Sequence, residues 1–342
     1  MGTTLSNRDV AELLAVASER ETGHRRDALR KAGRAAMFTW TEELAEVATA
    51  GRPLTELRRV GPWVARALEQ LFEDPPDEIP EPPPLRQGFL TRSEARAALA
   101  EHGDWQEALK GDLQMHTTYS DGAATLREMA EASGALGYEF VAITDHSKGL
   151  AIANGMDEAR LAEQAADIAL LNRELEDAGT PPRVLHAIEM NLSPEGEGDM
   201  EPGALGRLDL VLGAFHSKLR LTDDQTDRYL AAVRNPTVHV IAHPRCRIYG
   251  RRAGLWCDWQ RVFEEAARVG KAFEIDASPY RQDLDVELLR LAVDAGIRIS
   301  IGTDAHSIYE LGYMEFGLAA AILAGVPRER ILNFQPADDL LP

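Results

Sequence analysis

The sequence predicts an α/β protein whose main body is a distorted, seven-unit β/α barrel preceded by a small all-α helical domain. Seven apolar stretches after residue 110 read as strands: GDLQMH, EFVAITDH, RVLHAIEM, LDLVLGAFH, TVHVIAHP, KAFEIDAS and RISIGTDAH. Most are followed by a helical segment, such as LREMAEASGALG after the first and VFEEAARVG after the fifth. Nearly continuous apolar runs suit parallel strands buried on both faces, and their alternation with helices implies β/α units. The polar residues of these strands also gather at the C-terminal ends. Seven units rather than eight point to an incomplete or distorted barrel, with a doubly wound open sheet as the alternative.

At 342 residues the chain has room for one large domain and a smaller one. Residues 1–73 read as the helical domain. DVAELLAVASERE, HRRDALRKAGRAAMFT and TEELAEVATA each repeat apolar residues at helical spacing, and helix formers dominate them. Residues 74–109 read as a proline-rich linker and connecting helix. DPPDEIPEPPPLRQG is acidic and rich in proline, which lacks an N–H donor and favours extended backbone. Thr91-Arg92-Ser93-Glu94 then forms a capping-box pattern that starts the helix SEARAALAEH. Residues 110–342 make the barrel.

The composition, 44% hydrophobic and 27% charged, is that of a globular protein. No apolar run approaches the ~18 residues of a membrane span, so no membrane partner is expected. The start, MGTTLSNRDV, lacks the basic-then-apolar layout of a signal peptide, and Met1-Gly2 with Ser6 fits a myristoylation pattern only by one short match. The two cysteines, Cys246 and Cys257, imply no disulfide framework and read as reduced packing residues. A cytoplasmic location is expected. The formal charge of −19 argues against a protein that coats nucleic acid by bulk attraction, though bound cations would reverse the field locally.

The chemistry sits at the strand ends. The first strand gives His116, with Asp121 in the turn TTYSDG. The second ends Asp145-His146, the third presents Glu189 and the fourth ends at His216. The fifth ends at His243 and the last gives Asp304-Ala305-His306. In a β/α barrel these ends converge on one face, where active sites are built. A buried group of His, Asp and Glu without metal is costly in desolvation and self-repulsion. Imidazole with carboxylate suits zinc, manganese or iron, and no thiolate is required. His24 and His102 read as solvent-facing, and His186 and His239 as packing within strands. Arginines near the strand ends match phosphate geometry, Arg247 and Arg281 foremost with Arg245 beside them, and Lys148 follows the second strand. Asp145 reads as a residue that orients a ligand.

GDLQMHTTYSDG, AITDHS, the glutamate of HAIEMN, GAFHS, AHPRCR and GTDAHS stand in the order typical of the polymerase-and-histidinol-phosphatase (PHP) family, which residues 110–335 resemble. The resemblance implies a distorted seven-stranded β/α barrel with two to three divalent metal ions (Mn2+, Zn2+ or Fe2+). It places one metal on His116, Glu189 and Asp304, a second on Glu189, His216 and His243, and a third on Asp121, His146 and His306. The family's first motif is often His-x-His; here it is Gln114-Met115-His116, and a neutral glutamine oxygen is the weaker ligand for the first metal. Such clusters clamp phosphate and generate a bridging hydroxide near neutral pH.

The first 73 residues resemble the amino-terminal domain of family X DNA polymerases, and LTELRRVGPWVARAL is similar to a helix-hairpin-helix element. Arg59 stands at its first glycine position and Gly61 at its second, both being candidate DNA-phosphate contacts. Too few residues separate the two regions for a polymerase palm. These resemblances imply a DNA phosphodiesterase, acting as a 3′-5′ exonuclease with DNA as partner. The alternatives are a phosphomonoesterase for a small metabolite such as histidinol phosphate, and a DNA-binding module with a vestigial metal site. Protein partners are not specified.

Overall fold

The computed structural model describes residues 5–340; Met1 and Gly2, which carry the myristoylation pattern, lie outside them. The chain divides into two compact units, the first ending at Glu101 and the second beginning at His102.

The first unit is helical: α1 (Asn7–Glu19), α2 (Gly23–Phe38), α3 (Leu44–Thr49), α4 (Pro62–Glu73) and α5 (Arg92–Glu101). Ser6 starts α1 through a reciprocal capping box with Asp9, which satisfies two otherwise orphaned backbone donors. Val10 and Leu14 of α1 and Leu29 and Ala32 of α2 are buried, the stripes that the helical periodicity marks. Pro62 opens α4 directly after Gly61, where its missing N–H costs nothing. The proline-rich stretch is tied to this unit: Arg86 forms a two-pronged pair with Glu12 (Nε to Oε1, 2.9 Å). Asn7 bonds Ser93 and Arg8 pairs with Glu94, so α5 also belongs to it. The segment read as linker and connecting helix is therefore divided between the units at residue 101.

The second unit opens with α6 (Asp104–Ala108) and runs β1 (Gly111–Met115), α7 (Leu126–Ala135), β2 (Phe140–Ile143), α8 (Glu158–Ala178) and β3 (Arg183–Asn191). It continues with α9 (Pro202–Leu205), β4 (Leu210–Ala214), α10 (Thr226–Arg234), β5 (Val240–Ile241), α11 (Trp259–Val269), β6 (Ala272–Asp276), α12 (Val286–Ala295), β7 (Arg298–Gly302) and α13 (Met314–Ala324). The seven strands pair in sequence order, all parallel. This is the distorted (β/α)7 barrel, not the open doubly wound sheet. Leu185 and Ala187 of β3, Leu212 and Ala214 of β4 and Ala272 of β6 share one buried cluster. Two residues further along the same strand faces come Glu189, His216 and Glu274, so the apolar plug carries a polar layer on top.

Between β1 and β7 the ladder is incomplete. His116 N donates to Ala305 O (2.8 Å) and Asp304 N to Gln114 O (3.1 Å) at the C-terminal ends. Elsewhere side chains replace backbone pairing. Asn333 donates to Gly111 O and Ile301 O (2.8 Å each) and accepts from Ile301 N (2.7 Å). Asp112 accepts from Thr303 N (3.1 Å) and its hydroxyl (2.5 Å). Asn333 is fully buried. Asn333→Leu is expected to strand three backbone groups and cost about 3 kcal/mol, read as a lower urea midpoint with unchanged slope. A midpoint equal to wild type would show that the closure needs no such stitch.

No helix among the described residues is long and apolar enough to cross a membrane.

Candidate metal centre

Each donor is placed by the end of a strand. Glu189, on β3, is fully buried and lies at the middle: His243 Nε2 is 2.7 Å and His216 Nε2 3.1 Å from its Oε1, and His146 Nδ1 is 3.1 Å and His116 Nε2 3.4 Å from its Oε2. His116 also reaches Asp304 Oδ1 (3.1 Å), and Asp121 Oδ1 stands 3.4 Å from His306 and 3.6 Å from His146. The rings of His116 and His146 stack at 4.4 Å and those of His116 and His306 at 4.3 Å. Asp121 and His306 are about a third exposed (35% and 33%), so the cluster opens to solvent on their side.

The backbone yields to this geometry at two donors. His243 (φ 28°) and Asp304 (φ 53°) lie in the left-handed region, which non-glycine residues rarely adopt without support. Gly302 allows the crowding beneath: a Cβ there would come within 2.5 Å of Gln114 Cβ and of a Glu274 oxygen.

Among the described residues, three sets of donors can each surround an ion, with ligand atoms within 4.8 Å of one another: His116, Asp121, His146 and His306; His146, Glu189 and His216; His116, Glu189 and Asp304. His243 adjoins the second set through Glu189. The buried ring nitrogen His146 Nδ1 faces Glu189 without hydrogen-bond geometry, and His116 Nδ1 is likewise unsatisfied. A buried ring nitrogen beside a carboxylate with no hydrogen bond between them fits a cation at that place.

Without a cation the cage is divided: burial above all makes His116 and His216 hold a proton less readily than a free histidine, whereas the neighbouring carboxylates make His146, His243 and His306 hold one more readily. Burial disfavours the Glu189 carboxylate, but the charges of His146 and His243 and the close approach of His146 and His216 outweigh it and hold its pKa well below the ordinary value. Burial opposes charge on His306, yet its bond to Asp121 and the nearby Asp304 push it up to about 10.

Gln114 is fully buried on β1. Turned so that both ends of its amide are satisfied, its nitrogen donates to both Glu274 oxygens (2.7 Å to Oε2). Glu274 also accepts from His243 N (2.7 Å). Burial and the neighbouring Asp276 raise the Glu274 pKa well above the usual range. Gln114→His is expected to remove the amide donor and add an imidazole, tightening the first metal by roughly tenfold or more. Titration calorimetry and metal content check this, and an unchanged stoichiometry and affinity would put position 114 outside the coordination shell.

The remaining candidates lie around the cluster. Asp145 does not adjoin a donor pair; it accepts from Thr117 N (2.8 Å), the Thr117 hydroxyl (2.7 Å), the Ser120 hydroxyl (2.5 Å) and Gln164 (2.7 Å), and so shapes the turn that carries Asp121. Arg281 reaches the cluster directly, its Nε 3.2 Å from Asp304 and 3.3 Å from Asp276. Arg245 and Arg247 both pair with Asp285, the N-cap of α12, and Arg247 also donates to Arg281 O (2.8 Å). They brace the loop that presents Arg281. Lys148 pairs with Glu158 (2.7 Å) at the surface. Arg59 (φ 69°) and Gly61 lie in the helical unit.

Sequence reasoning passed over the sixth strand, where Glu274 and Asp276 are fully buried. Their signal was present: two acids at i and i+2 inside the apolar run AFEID, hence on one strand face. Asn191, two residues after Glu189, bonds His216 Nδ1 at 3.2 Å and sets that ring's orientation. His24 and His102 are exposed, while His239 accepts from Val211 N (3.0 Å) inside the sheet. Cys246 is buried, its thiol near Phe215 O.

The PHP domain family matches residues 112–234. The Bacillus subtilis (strain 168) protein named "DNA polymerase/3'-5' exonuclease PolX" is 40% identical over 233 residues, covering 68% of this chain and 40% of its own length. The chain thus spans less than half of that relative. Escherichia coli K12 "Probable phosphatase YcdX" is 28% identical over 236 residues, 66% of this chain and 90% of that protein. Among solved structures, histidinol phosphate phosphatase from Lactococcus lactis, complexed with zinc, L-histidinol and phosphate, aligns with a TM-score of 0.43 at 17% identity, over 61% of this chain and 93% of that one. The domain match begins at Asp112 on β1 and ends with α10, so residues 112–234, with His116, Asp121, His146, Glu189 and His216 of the donor cluster, are a PHP domain.

Proposed function

We propose that this protein hydrolyses phosphodiester bonds of DNA, removing nucleotides from 3′ ends, with DNA also held by the helical unit. The broader class, a metal-dependent hydrolase of phosphate esters, follows from the PHP domain and the converging donors. Bound divalent ions supply Lewis acidity toward phosphate oxygens and acidify water near neutral pH. Manganese, zinc and iron all suit the imidazole and carboxylate donors.

The protein's own residues do the rest. Glu189 holds four histidines around one centre. Asp145 fixes the turn that delivers Asp121. Arg281 brings a guanidinium to the rim, where its fork can bind an oxygen of the scissile phosphate and stabilise charge as the bond breaks.

The observation that carries the DNA reading is the 40% identity to PolX across the barrel, against 28% to the phosphatase relative. The helical unit supports it. Arg59 adopts a positive φ where the hairpin resemblance expects glycine, and α2 exposes Arg25, Arg26, Arg30, Lys31 and Arg34 on an otherwise acidic protein. The second reading, a small phosphomonoester as substrate, is favoured by the 90% coverage of the phosphatase relative. The buried, converging donors speak against a vestigial site.

The test is digestion of a 5′-labelled DNA strand by the purified protein with manganese, using His146→Ala as control. A ladder shortening from the 3′ end and absent in the variant supports the nuclease. An intact strand from metal-loaded protein that still hydrolyses small phosphomonoesters would transfer the assignment to the second reading.

A further inference from the structure

Of the cluster's donors, Asp121 stands farthest from its strand, six residues beyond the end of β1, whereas the others lie within a strand or at most four residues past one. Asp121 and His306 are also its exposed donors, each about a third open to solvent. A carboxylate on a turn has more freedom to lose on ligating an ion than one fixed by a strand, so that turn has to be held by something else.

Helix α8 holds it. Arg160, Gln164 and Asp167 recur at helical spacing and lie on one face of that helix. Arg160 donates to Tyr119 O (2.6 Å) through Nη2 and to Asn154 O (3.1 Å) through Nη1, which ties together the loops after β1 and β2. Asn154 (φ 55°) completes the tie by donating from its side chain to Ser120 O (3.2 Å). Asp167 accepts from the Tyr119 hydroxyl (2.5 Å). Gln164 is fully buried and donates to Asp145 Oδ2 (2.7 Å), while Asp145 Oδ1 receives the Ser120 hydroxyl. The two residues directly before Asp121 are thus held in backbone and side chain by contacts that lead to α8.

From this arrangement we infer that α8 sets the occupancy of the open metal position, the one lined by His116, Asp121, His146 and His306. Arg160, Gln164 and Asp167 are positioning residues that present Asp121 to the ion. The two sets that share Glu189 take their carboxylates from β3 and from the end of β7 and do not use the turn. Their ions are therefore held firmly, and the open one exchanges with the surrounding solution. The inference rests on the metal-dependent class above and not on DNA as the substrate.

The test titrates the full-length, metal-free protein with manganese chloride by calorimetry, with metal content measured alongside. Arg160→Met and Gln164→Leu are each expected to weaken, by about tenfold or more, the same ion that Asp121→Asn weakens, and to leave the tighter ions within about twofold. Added to Asp121→Asn, Arg160→Met should cause no further loss, because a residue acting through Asp121 then has nothing left to position. Hydrolysis of bis(p-nitrophenyl) phosphate by Arg160→Met should fall at limiting manganese and return to within about twofold of wild type at saturating manganese, a rescue that a damaged barrel would not show. Should Gln164→Leu fail to fold, Arg160→Met, whose side chain is only partly buried, carries the test alone. Unchanged manganese affinity in the variants would overturn the inference, as would a loss spread equally over all ions or a further loss in the double variant. A wild type that takes up no manganese would instead sink the metal-dependent reading itself.

Discussion

Replacing Glu189 with glutamine is expected to lower turnover of any phosphate ester by about a thousandfold or more, with loss of bound metal. Among the described residues, Glu189 is the one carboxylate that lies within 3.4 Å of four imidazoles, and it is fully buried. Metal ions in such a site supply several kcal/mol of transition-state stabilisation, and about 1.4 kcal/mol corresponds to a factor of ten. Glutamine keeps the shape but removes the negative charge that two of the donor sets share. Metal content by mass spectrometry should fall together with activity. Two further readouts separate loss of ligation from loss of fold: the circular dichroism spectrum should stay that of the wild type, and added manganese should no longer raise the melting temperature. A variant that keeps full metal content and wild-type turnover would remove Glu189 from the centre of the site.

Metal uptake by the metal-free protein is expected to release protons and to strengthen steeply as pH rises. His306 is pushed from 6.5 up to about 10 because, although burial opposes its charge, Asp121 and Asp304 outweigh that penalty. His243 and His146 are also raised: burial, and for His243 also Arg281, opposes their charge, but the Glu189 carboxylate beside them outweighs it. A ligating histidine must be neutral on the nitrogen that binds, so each retained proton competes with the ion. Below its pKa each such histidine should cost up to about tenfold in apparent affinity per pH unit. The same shifts bear on stability with a definite sign. A histidine with a raised folded pKa contributes stabilisation that is complete below pH 6.5 and is lost as pH rises toward about 10. The metal-free protein should therefore lose melting temperature across that window while the metal-loaded protein does not. Calorimetry in two buffers of different ionisation enthalpy counts the protons. A pH-independent affinity with no proton release would show that the cage is already neutral.

Much of this was legible in the chain. Each strand but the sixth carries its own signal, an apolar run closed by a donor, and neither depends on what lies across the sheet. His116, His146, His216, His243 and His306 could be picked out because a histidine at the end of a buried strand is unusual and five of them are not coincidental. The helical unit was legible for the same local reason, since α1 and α2 declare their buried stripes by spacing alone. The partners of side chains were not. Arg245 and Arg247 looked like phosphate ligands from their place after His243, but Asp285, some forty positions later, claims both guanidinium groups. Glu274 and Asp276 were hidden because two acids in an apolar run read as a strand first and as chemistry second.

The amino acids taken in order therefore determine the element types, the order of the strands and the donors at their ends, because these follow from hydrophobic period and residue chemistry within a few positions. Only the folded barrel decides that Gln114 faces Glu274, that Asp112 and Asn333 close the gap between β1 and β7, and that Arg245 and Arg247 meet Asp285. Those pairings join residues up to about two hundred positions apart. They are set by strand register and barrel curvature, which no local pattern encodes.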